Sequence, residues 1–114
     1  TPTIMALEAA RVGFELSAEA GMAAIHAKGK ALTSLAIELC DQWGMPSPTP
    51  RDANRRGLHV AVQHPRAKAV VRELHDRNII FDFREPDIIR AGCTPLTTRF
   101  TDVYDGLSAI SSMR

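Results

Sequence analysis

Arg90 has the side chain and the setting best suited to binding chemistry in this sequence. It follows a pair of isoleucines and comes directly before Ala91 and Gly92. In a strand its side chain would project opposite the preceding isoleucine, and the small residues after it would leave room for a ligand. A guanidinium there either forms a structural ion pair or binds a substrate carboxylate through two parallel hydrogen bonds. Spacing leaves both alternatives open, and the acidic partners available for an ion pair are Asp82, Glu85 and Asp87.

The histidines and cysteines lack the spacing of a metal site or of a nucleophile pair. They are His26, His59, His64, His75, Cys40 and Cys93. No two histidines are one helical turn apart, and the cysteines do not form a Cys-x-x-Cys pair. We therefore predict that the chain binds no metal, that both thiols are reduced, and that Cys93 packs as a small apolar residue.

No motif completes an active site for nucleotide binding or for hydrolysis. The glycines at 13, 21 and 29 fall within helical patterns and not in a phosphate-binding turn after a strand. No serine has the Gly-x-Ser-x-Gly context of a hydrolase nucleophile. Four basic residues could attract nucleic acid, but no aromatic residues are interleaved with them, so we expect no nucleic-acid partner. These are Arg51, Arg55, Arg56 and Arg66.

The composition is that of a single folded domain. The chain has 114 residues, of which 45% are apolar and 24% charged, and its net charge is +1. This near-neutral balance argues against binding to nucleic acid or to anionic lipid. No apolar run reaches the roughly 18 to 20 residues that span a bilayer. We expect a soluble, cytoplasmic domain without a membrane partner and, since no initiator Met is present, a piece of a longer protein.

Two helices are predicted at the start of the chain. Thr1 has the residue type of an N-cap, and Pro2 occupies the favoured first helical position of a helix that ends near Ser17. Ser17 is expected to cap a second, amphipathic helix over 18–43. Gly44 then follows as a left-handed C-cap residue.

The second helix has an apolar seam from Met22 to Leu39, with the small Gly29 at one seam position. We expect this seam to be incompletely covered within the chain, because part of its partner surface belongs to another domain. Three prolines then interrupt regular structure and mark a loop or hinge. The predicted division is connecting helices over 1–44, a proline-rich loop over 45–56 and a βαββα unit over 57–114.

The second half of the chain reads as three strands and two helices. The predicted elements are a strand over 58–63, a helix over 65–77 ended by Asn78, strands over 79–83 and 88–91 joined by a turn over 85–87, and a helix over 101–112. The side chains expected to face the core are Ala69, Val70 and Leu74 in the first of these helices and Val103, Leu107 and Ile110 in the second. The pattern predicts an α+β fold, with long N-terminal helices followed by a small, mainly antiparallel sheet that has helices packed on one face.

Five blocks of residues, in order along nearly the whole chain, resemble the C-terminal part of kynureninase. The blocks are Thr1-Pro2-Thr3-Ile4; Ala20-Gly21-Met22-x-Ala24-Ile25 with Lys28, Leu32 and Thr33; Arg56-Gly57-x-His59-Val60-Ala61-Val62-x-His64; Asp82-Phe83-Arg84-x-Pro86-x-Ile88-Ile89-Arg90; and Pro95-Leu96 with Phe100-x-Asp102-Val103-Tyr104. Each block alone is a weak signal, but five in register are specific.

The resemblance implies a fold, a reaction and a cofactor. Kynureninases are homodimeric pyridoxal-phosphate enzymes of the aspartate-aminotransferase fold, fold type I. They hydrolyse kynurenine or 3-hydroxykynurenine to the corresponding anthranilate and alanine. The chain would be the C-terminal small domain, and a large domain outside this sequence would bind most of the cofactor. Because Lys28, Lys30 and Lys68 are all expected on solvated helix faces, none would replace the Schiff-base lysine, and the chain alone would be inactive.

The resemblance also implies roles for two residues. Arg90 matches the arginine that holds the α-carboxylate of the substrate amino acid, which favours the second of its two alternatives. Thr1 matches a threonine that reaches the active site across the dimer, near the substrate ring or the cofactor phosphate. The sequence departs from the family pattern at Pro95-Leu96-Thr97 and in the Ala-Gly-Cys-Thr run after Arg90, which leaves the choice between kynurenine and 3-hydroxykynurenine open.

Two other readings remain at the level of sequence. The chain could be the small domain of another fold-type I enzyme, such as an aminotransferase or a cysteine desulfurase, since Arg90 would serve those reactions equally well. Alternatively, it could be a stand-alone α+β interaction module without catalytic function.

Overall fold

The computed structural model describes residues 1–113, so residue 114, the last of the predicted domain, lies outside the described residues. The helices are α1 (Ile4–Ala20), α2 (Met22–Gln42), a short 3₁₀ helix (Ala53–Arg55), α3 (Ala67–Asp76) and α4 (Phe100–Ser111); the strands are β1 (His59–Gln63), β2 (Asp82–Arg84) and β3 (Ile88–Gly92). This order confirms the predicted α+β fold.

The three strands form one antiparallel sheet in the order β1-β3-β2. Val60 lies opposite Ala91, and Val62 lies opposite Ile89. All four of these side chains are buried, and they share one face of the sheet because side chains alternate between faces along a strand. They join the hydrophobic core formed with α2, α3 and α4. The predicted sheet with helices on one face is therefore confirmed, and the opposite face stays uncovered.

The boundary between the first two helices differs from the prediction. Helix α1 begins at Ile4, after an extended Thr3, so Thr1 and Pro2 precede it and do not cap it. It continues through Ser17, which lies inside α1 and caps nothing. The break falls at Gly21, whose φ of 84° is a left-handed conformation that glycine adopts without strain. Gly44, with a φ of 65°, confirms the predicted left-handed residue after α2.

Exposed apolar side chains lie mainly on α1, so the prediction of an incompletely covered α2 seam is confirmed only at Met22 and is wrong for the rest of the seam. Helix α2 packs against α4 and β1, and its seam from Ile25 to Leu39 is buried, although Met22 stays exposed. A Cβ atom added at Gly29 would overlap the Leu58 Cδ2 methyl group, so a larger residue at this seam position would require the Leu58 side chain to move. Helix α1, by contrast, contains no buried residue.

In the second half of the chain, the elements agree with the prediction except at one core residue of α3 and at the start of β2. Helix α3 buries Ala67, Val70 and Leu74, whereas Ala69, expected in the core, is exposed. Residues 79–81 were predicted as part of a strand, but pairing begins only at Asp82. The intervening segment closes the end of α3 instead, since the Ile79 N–H donates to the Leu74 carbonyl at 2.9 Å.

The end of α3, the turn between β2 and β3, and helix α4 follow the prediction closely. The left-handed Asn78 ends the α3 region, and the turn over 85–87 joins β2 to β3. Helix α4 buries the three predicted side chains, which are Val103, Leu107 and Ile110.

The proline-rich loop runs along the outer edge of β1. The Gln63 N–H donates to the Pro46 carbonyl at 2.8 Å. The Ala61 N–H donates to Thr49 Oγ1 at 2.8 Å, and Ser47 Oγ donates to the Ala61 carbonyl at 2.6 Å. These bonds satisfy backbone groups that an open strand edge would leave unpaired. The loop is irregular, as predicted, but it is fastened to the sheet over much of its length.

Candidate functional site

Arg90 lies on the uncovered face of the sheet, on the central strand β3. The preceding Ile89 is fully buried, whereas the Arg90 side chain is 35% exposed, so the predicted alternation of the two is confirmed. Directly opposite Arg90 are Ala61 on β1 and Asp82 on β2. The cross-strand neighbours of Arg90 are thus a small apolar residue on one side and a carboxylate on the other.

Asp82 is the acidic partner of Arg90. Arg90 Nη2 donates to Asp82 Oδ2, and Arg84 Nε donates to the same oxygen at 3.1 Å. Burial alone would raise the pKa of Asp82, but the charges of Arg84 and Arg90 and their hydrogen bonds outweigh it and hold that pKa below its usual value. The carboxylate therefore stays ionised at neutral pH.

The other two acidic candidates do not reach Arg90. Asp87 Oδ2 accepts a hydrogen bond from Gln63 Nε2 at 2.8 Å, and Glu85 is exposed without an ion pair to any described residue. Within residues 1–113, Arg90 Nε and Nη1 make no hydrogen bond to protein. The guanidinium is thus anchored through one N–H of Nη2, and its other N–H groups, including the second one on Nη2, stay available to a carboxylate ligand.

Apart from Asp82, the residues around Arg90 on this face are small or basic. Gly92 faces His59 across the β1-β3 pair, just as Ala61 faces Arg90. A cavity of about 330 Å³ adjoins Ala61 and is bordered by Arg55, His59 and the proline-rich loop. This face therefore combines free space with positive charge, a combination that suits an anionic ligand.

Thr1, the other predicted site residue, is not brought to Arg90 within this chain. It lies exposed ahead of α1 and makes no hydrogen bond or ion pair with any residue that the structure describes. Since α1 buries no side chain, nothing in the chain fixes Thr1 against the sheet.

Two of the three lysines were wrongly predicted to lie on a solvated face. Lys28 Nζ donates to the Pro95 carbonyl at 2.6 Å, and Lys30 Nζ donates to Asn54 Oδ1 at 2.7 Å; both lysines are partly buried. Only Lys68 is exposed as expected. The sequence pattern of α2 could not reveal these contacts, because their partners come from loops far along the chain.

Both cysteines belong to the core, and two of the histidines lie at the ends of β1. Cys40 and Cys93 are buried, and burial is the main cause that raises the pKa of each thiol to about 11. His64 is buried ahead of α3, where its Nδ1 accepts from the Arg66 N–H at 3.0 Å, while His59 is exposed. In the described part of the chain, no three His, Cys, Asp or Glu side chains are grouped to hold a metal ion.

Arg56 is a structural residue that sequence reasoning missed. The sequence places it in a basic patch and in one of the blocks that resemble kynureninase, but indicates no structural role. In the structure its guanidinium donates to Thr33 Oγ1 at 2.8 Å and to Ser34 Oγ at 2.6 Å. Arg51 is similarly occupied by Asp41, with Nη2 donating to Oδ1 at 2.8 Å. Among the helices of residues 1–113, none is both long and apolar enough to cross a membrane.

Comparison with known proteins identifies relatives along almost the whole chain. A family model described as the kynureninase C-terminal domain matches residues 25–110. The kynureninase of Pseudomonas fluorescens is 39% identical over 117 residues, covering 99% of this chain and 28% of that protein. The kynureninase of Burkholderia mallei strain SAVP1 is 35% identical over 114 residues, covering 96% of this chain and 27% of that protein. The chain thus spans a little over a quarter of the length of these relatives.

Two solved structures share the fold. A cysteine desulfurase from Thermococcus onnurineus NA1 has a TM-score of 0.73 at 16% identity, covering 83% of this chain and 27% of that one. An 8-amino-7-oxononanoate synthase from Francisella tularensis has a TM-score of 0.63 at 22% identity, covering 76% and 26%. At such low identity these likenesses bear on the fold alone, and they confirm the predicted fold class. Because the family model matches more than half of its residues, the chain belongs to the kynureninase C-terminal domain family.

Proposed function

We propose that this chain is the C-terminal small domain of a pyridoxal-phosphate-dependent kynureninase, in which Arg90 binds the α-carboxylate of the substrate amino acid. The observation that carries this proposal is the placement of Arg90. Its guanidinium lies on the uncovered face of the sheet, is anchored through one nitrogen only, and has the small Ala61 and Gly92 beside it. A carboxylate can approach from that face and accept two charge-assisted hydrogen bonds.

The described residues do not themselves fit pyridoxal phosphate. Lys28 and Lys30 are held by hydrogen bonds to Pro95 and Asn54, and Lys68 is exposed on α3. We therefore assign the cofactor to the remaining part of the full-length protein, and we expect the isolated chain to have no kynurenine-cleaving activity. The full-length protein is proposed to be a cytoplasmic homodimer, with Thr1 acting at the active site of the partner subunit.

Within this proposal, the contribution of the chain is to bind and orient the substrate. A two-point contact between Arg90 and the α-carboxylate fixes the direction of the bonds at Cα. Orientation acts on the reacting centre as well as on affinity, so its loss lowers kcat along with kcat/KM. The products would be alanine and either anthranilate or 3-hydroxyanthranilate.

The test is steady-state kinetics of the full-length protein with Arg90→Ala and Arg90→Lys, on kynurenine and on 3-hydroxykynurenine. Truncating one partner of a buried charge pair costs about 2–4 kcal/mol, which corresponds to a fall in kcat/KM of roughly 30-fold to 1,000-fold for Arg90→Ala. Arg90→Lys keeps the charge but not the planar fork, so it should lose much of the same effect. Arg51→Ala is the matched control, because Arg51 pairs with the exposed Asp41 and should leave the kinetics unchanged.

Unchanged kinetics with a lowered melting temperature would show that Arg90 is only a structural partner of Asp82. If the unaltered protein cleaves neither substrate, the proposed reaction is wrong, and a screen of other amino acids, beginning with those of aminotransferases and cysteine desulfurases, decides for a different fold-type I reaction.

A further inference from the structure

We propose that Asp82 is a positioning residue, which holds the Arg90 guanidinium in the orientation that receives the substrate carboxylate. This inference rests on the proposed function of Arg90. It concerns how the arginine is made ready for a ligand, and it assigns Asp82 no contact with the substrate.

The sheet register places the two side chains as direct neighbours. Asp82 on the edge strand β2 is the cross-strand partner of Arg90 on the central strand β3, and both lie on the uncovered face. The side chains are 47% and 35% exposed, so packing alone does not fix the long arginine side chain. The hydrogen bond from Arg90 Nη2 to Asp82 Oδ2 therefore decides where the guanidinium points.

This single hydrogen bond orients the guanidinium and leaves its other N–H groups available to a ligand. An arginine side chain has several rotatable bonds, and a ligand that captures a free one must overcome the loss of that freedom. With Nη2 held by Asp82, most of this freedom is already lost in the folded protein. Asp82 takes only one of the two N–H groups on Nη2, and Nε and Nη1 make no bond to any of residues 1–113. The second N–H of Nη2 and the N–H of the nitrogen beside it therefore present two parallel donors to a carboxylate in a fixed plane.

Asp82 does not cancel the positive charge that the ligand needs. Arg84 contacts the same carboxylate at 3.1 Å, from the outer end of β2. The cluster of Arg84, Asp82 and Arg90 thus holds two positive charges and one negative charge. A substrate carboxylate beside Arg90 therefore still meets a net positive site.

A competing explanation makes the opposite prediction. If Asp82 only occupied Arg90 until a substrate displaced it, removing Asp82 would tighten substrate binding and lower KM. If Asp82 positions Arg90, its removal weakens the recognition of the carboxylate. Asp82 bonds to only one nitrogen of Arg90. This favours positioning over blocking, because the remaining N–H groups can still bind the ligand.

The experiment compares Asp82→Ala and Asp82→Asn in the full-length protein, using kynurenine and its α-carboxamide as paired substrates. For Asp82→Ala we expect kcat/KM for kynurenine to fall by about tenfold, mainly through KM, with little change for the carboxamide. Asp82→Asn keeps an oxygen acceptor for Nη2, so it should stay within about threefold of the unaltered protein. A merely structural role would affect both substrates equally. Asp41→Ala, which removes an exposed ion pair between Asp41 on α2 and Arg51 in the proline-rich loop, is the control.

The outcomes separate this inference from the proposed function. If Arg90→Ala does not reduce the preference for the carboxylate over the carboxamide, the proposed function fails and this inference falls with it. If Arg90→Ala abolishes the preference while Asp82→Ala keeps it or lowers KM, only the positioning role is overturned. Equal losses in Asp82→Ala and Asp82→Asn would also overturn it, since charge and not orientation would then be responsible.

Discussion

Replacing Arg56 by alanine should destabilise the domain more than removal of any other arginine in the proline-rich loop. Arg56 Nε donates to Thr33 Oγ1 at 2.8 Å, Nη2 donates to Ser34 Oγ at 2.6 Å, and Nη1 donates to the Arg51 carbonyl at 2.9 Å. One side chain thus ties α2 to the segment that leads into β1.

The size of the effect follows from which of these bonds water can replace. Thr33 is fully buried, so its hydroxyl loses a partner that water does not restore, although it keeps its own bond to the Gly29 carbonyl at 2.8 Å. Ser34 and Arg51 are exposed and can bind water instead. One bond from a charged donor to a buried acceptor, with small additions from the exposed ones, gives a loss of about 2–3 kcal/mol. For a domain of this size, that loss lowers the melting temperature by roughly 8–12 °C.

Urea unfolding of the 114-residue chain, followed by fluorescence, would measure this loss. Trp43 is the only tryptophan, and its ring packs edge-on against Tyr104 with centroids 5.4 Å apart, so its emission reports on the core. Arg56→Lys should recover part of the loss, because a lysine can reach one acceptor but not three. Arg51→Ala, which removes only an exposed ion pair, should leave the midpoint unchanged. If Arg56→Ala has the same midpoint as Arg51→Ala, the reasoning is wrong.

Two further predictions concern the thiols and α1. Because burial raises the pKa of Cys40 and Cys93 to about 11, neither thiol should react with Ellman's reagent at pH 8 until urea unfolds the chain; rapid reaction of the folded protein would contradict this. The unfolded chain, with thiol pKa values near 9.0, releases these protons at lower pH than the folded chain. The urea concentration at the unfolding midpoint should therefore decrease as the pH rises from 9 to 11, and the decrease should be smaller when both cysteines are replaced by alanine. Helix α1 exposes Leu7 and Phe14, which are 56% and 73% accessible, so the isolated chain should self-associate through α1. Sedimentation should show this association, and Phe14→Glu should reduce it. A chain that stays monomeric at all concentrations would contradict the prediction.

The spacing of apolar residues correctly predicted the strands and helices that have one buried face. Along β1 and β3 the side chains alternate, so the buried positions of Val62 and Ile89 and the opposite face of Arg90 were all predictable from the sequence. The same holds for α4, in which Leu107 and Ile110 recur at helical spacing. In these elements a buried face is wide and strongly apolar, and a shift of one residue would expose it.

The misassigned positions are those where local signals compete. Ser17 has the residue type of a cap, but the chain breaks at Gly21, because a change in direction between two helices requires a positive φ more than it requires a hydroxyl. Ala69 carries too little apolar surface to decide which side of α3 is buried. The apolar run before Asp82 resembles a strand, but it is not one, because pairing with β3 begins only at Asp82, and local sequence cannot show where pairing begins.

The candidate site divides in the same way. The face of Arg90 follows from the alternation along β3, whereas the choice of Asp82 over Asp87 depends on how the turn between β2 and β3 sets the register. The contacts of Arg56 could not be anticipated at all. Its bonds to Thr33 and Ser34 join residues more than twenty positions apart, and nothing in the local pattern around 56 points to Thr33.

The core and the face that carries Arg90 are set by the same strand register. Ile89 is fully buried between Val62 on one neighbouring strand and Phe83 on the other, and Arg90 follows it directly. A slip of β3 by one residue would expose Ile89 and force the Arg90 guanidinium into the apolar core, where its charge would have no partner. Packing on one face therefore holds the arginine on the other. Substitutions at Ile89 should consequently disturb carboxylate recognition even though the side chain lies on the side of the sheet away from the ligand.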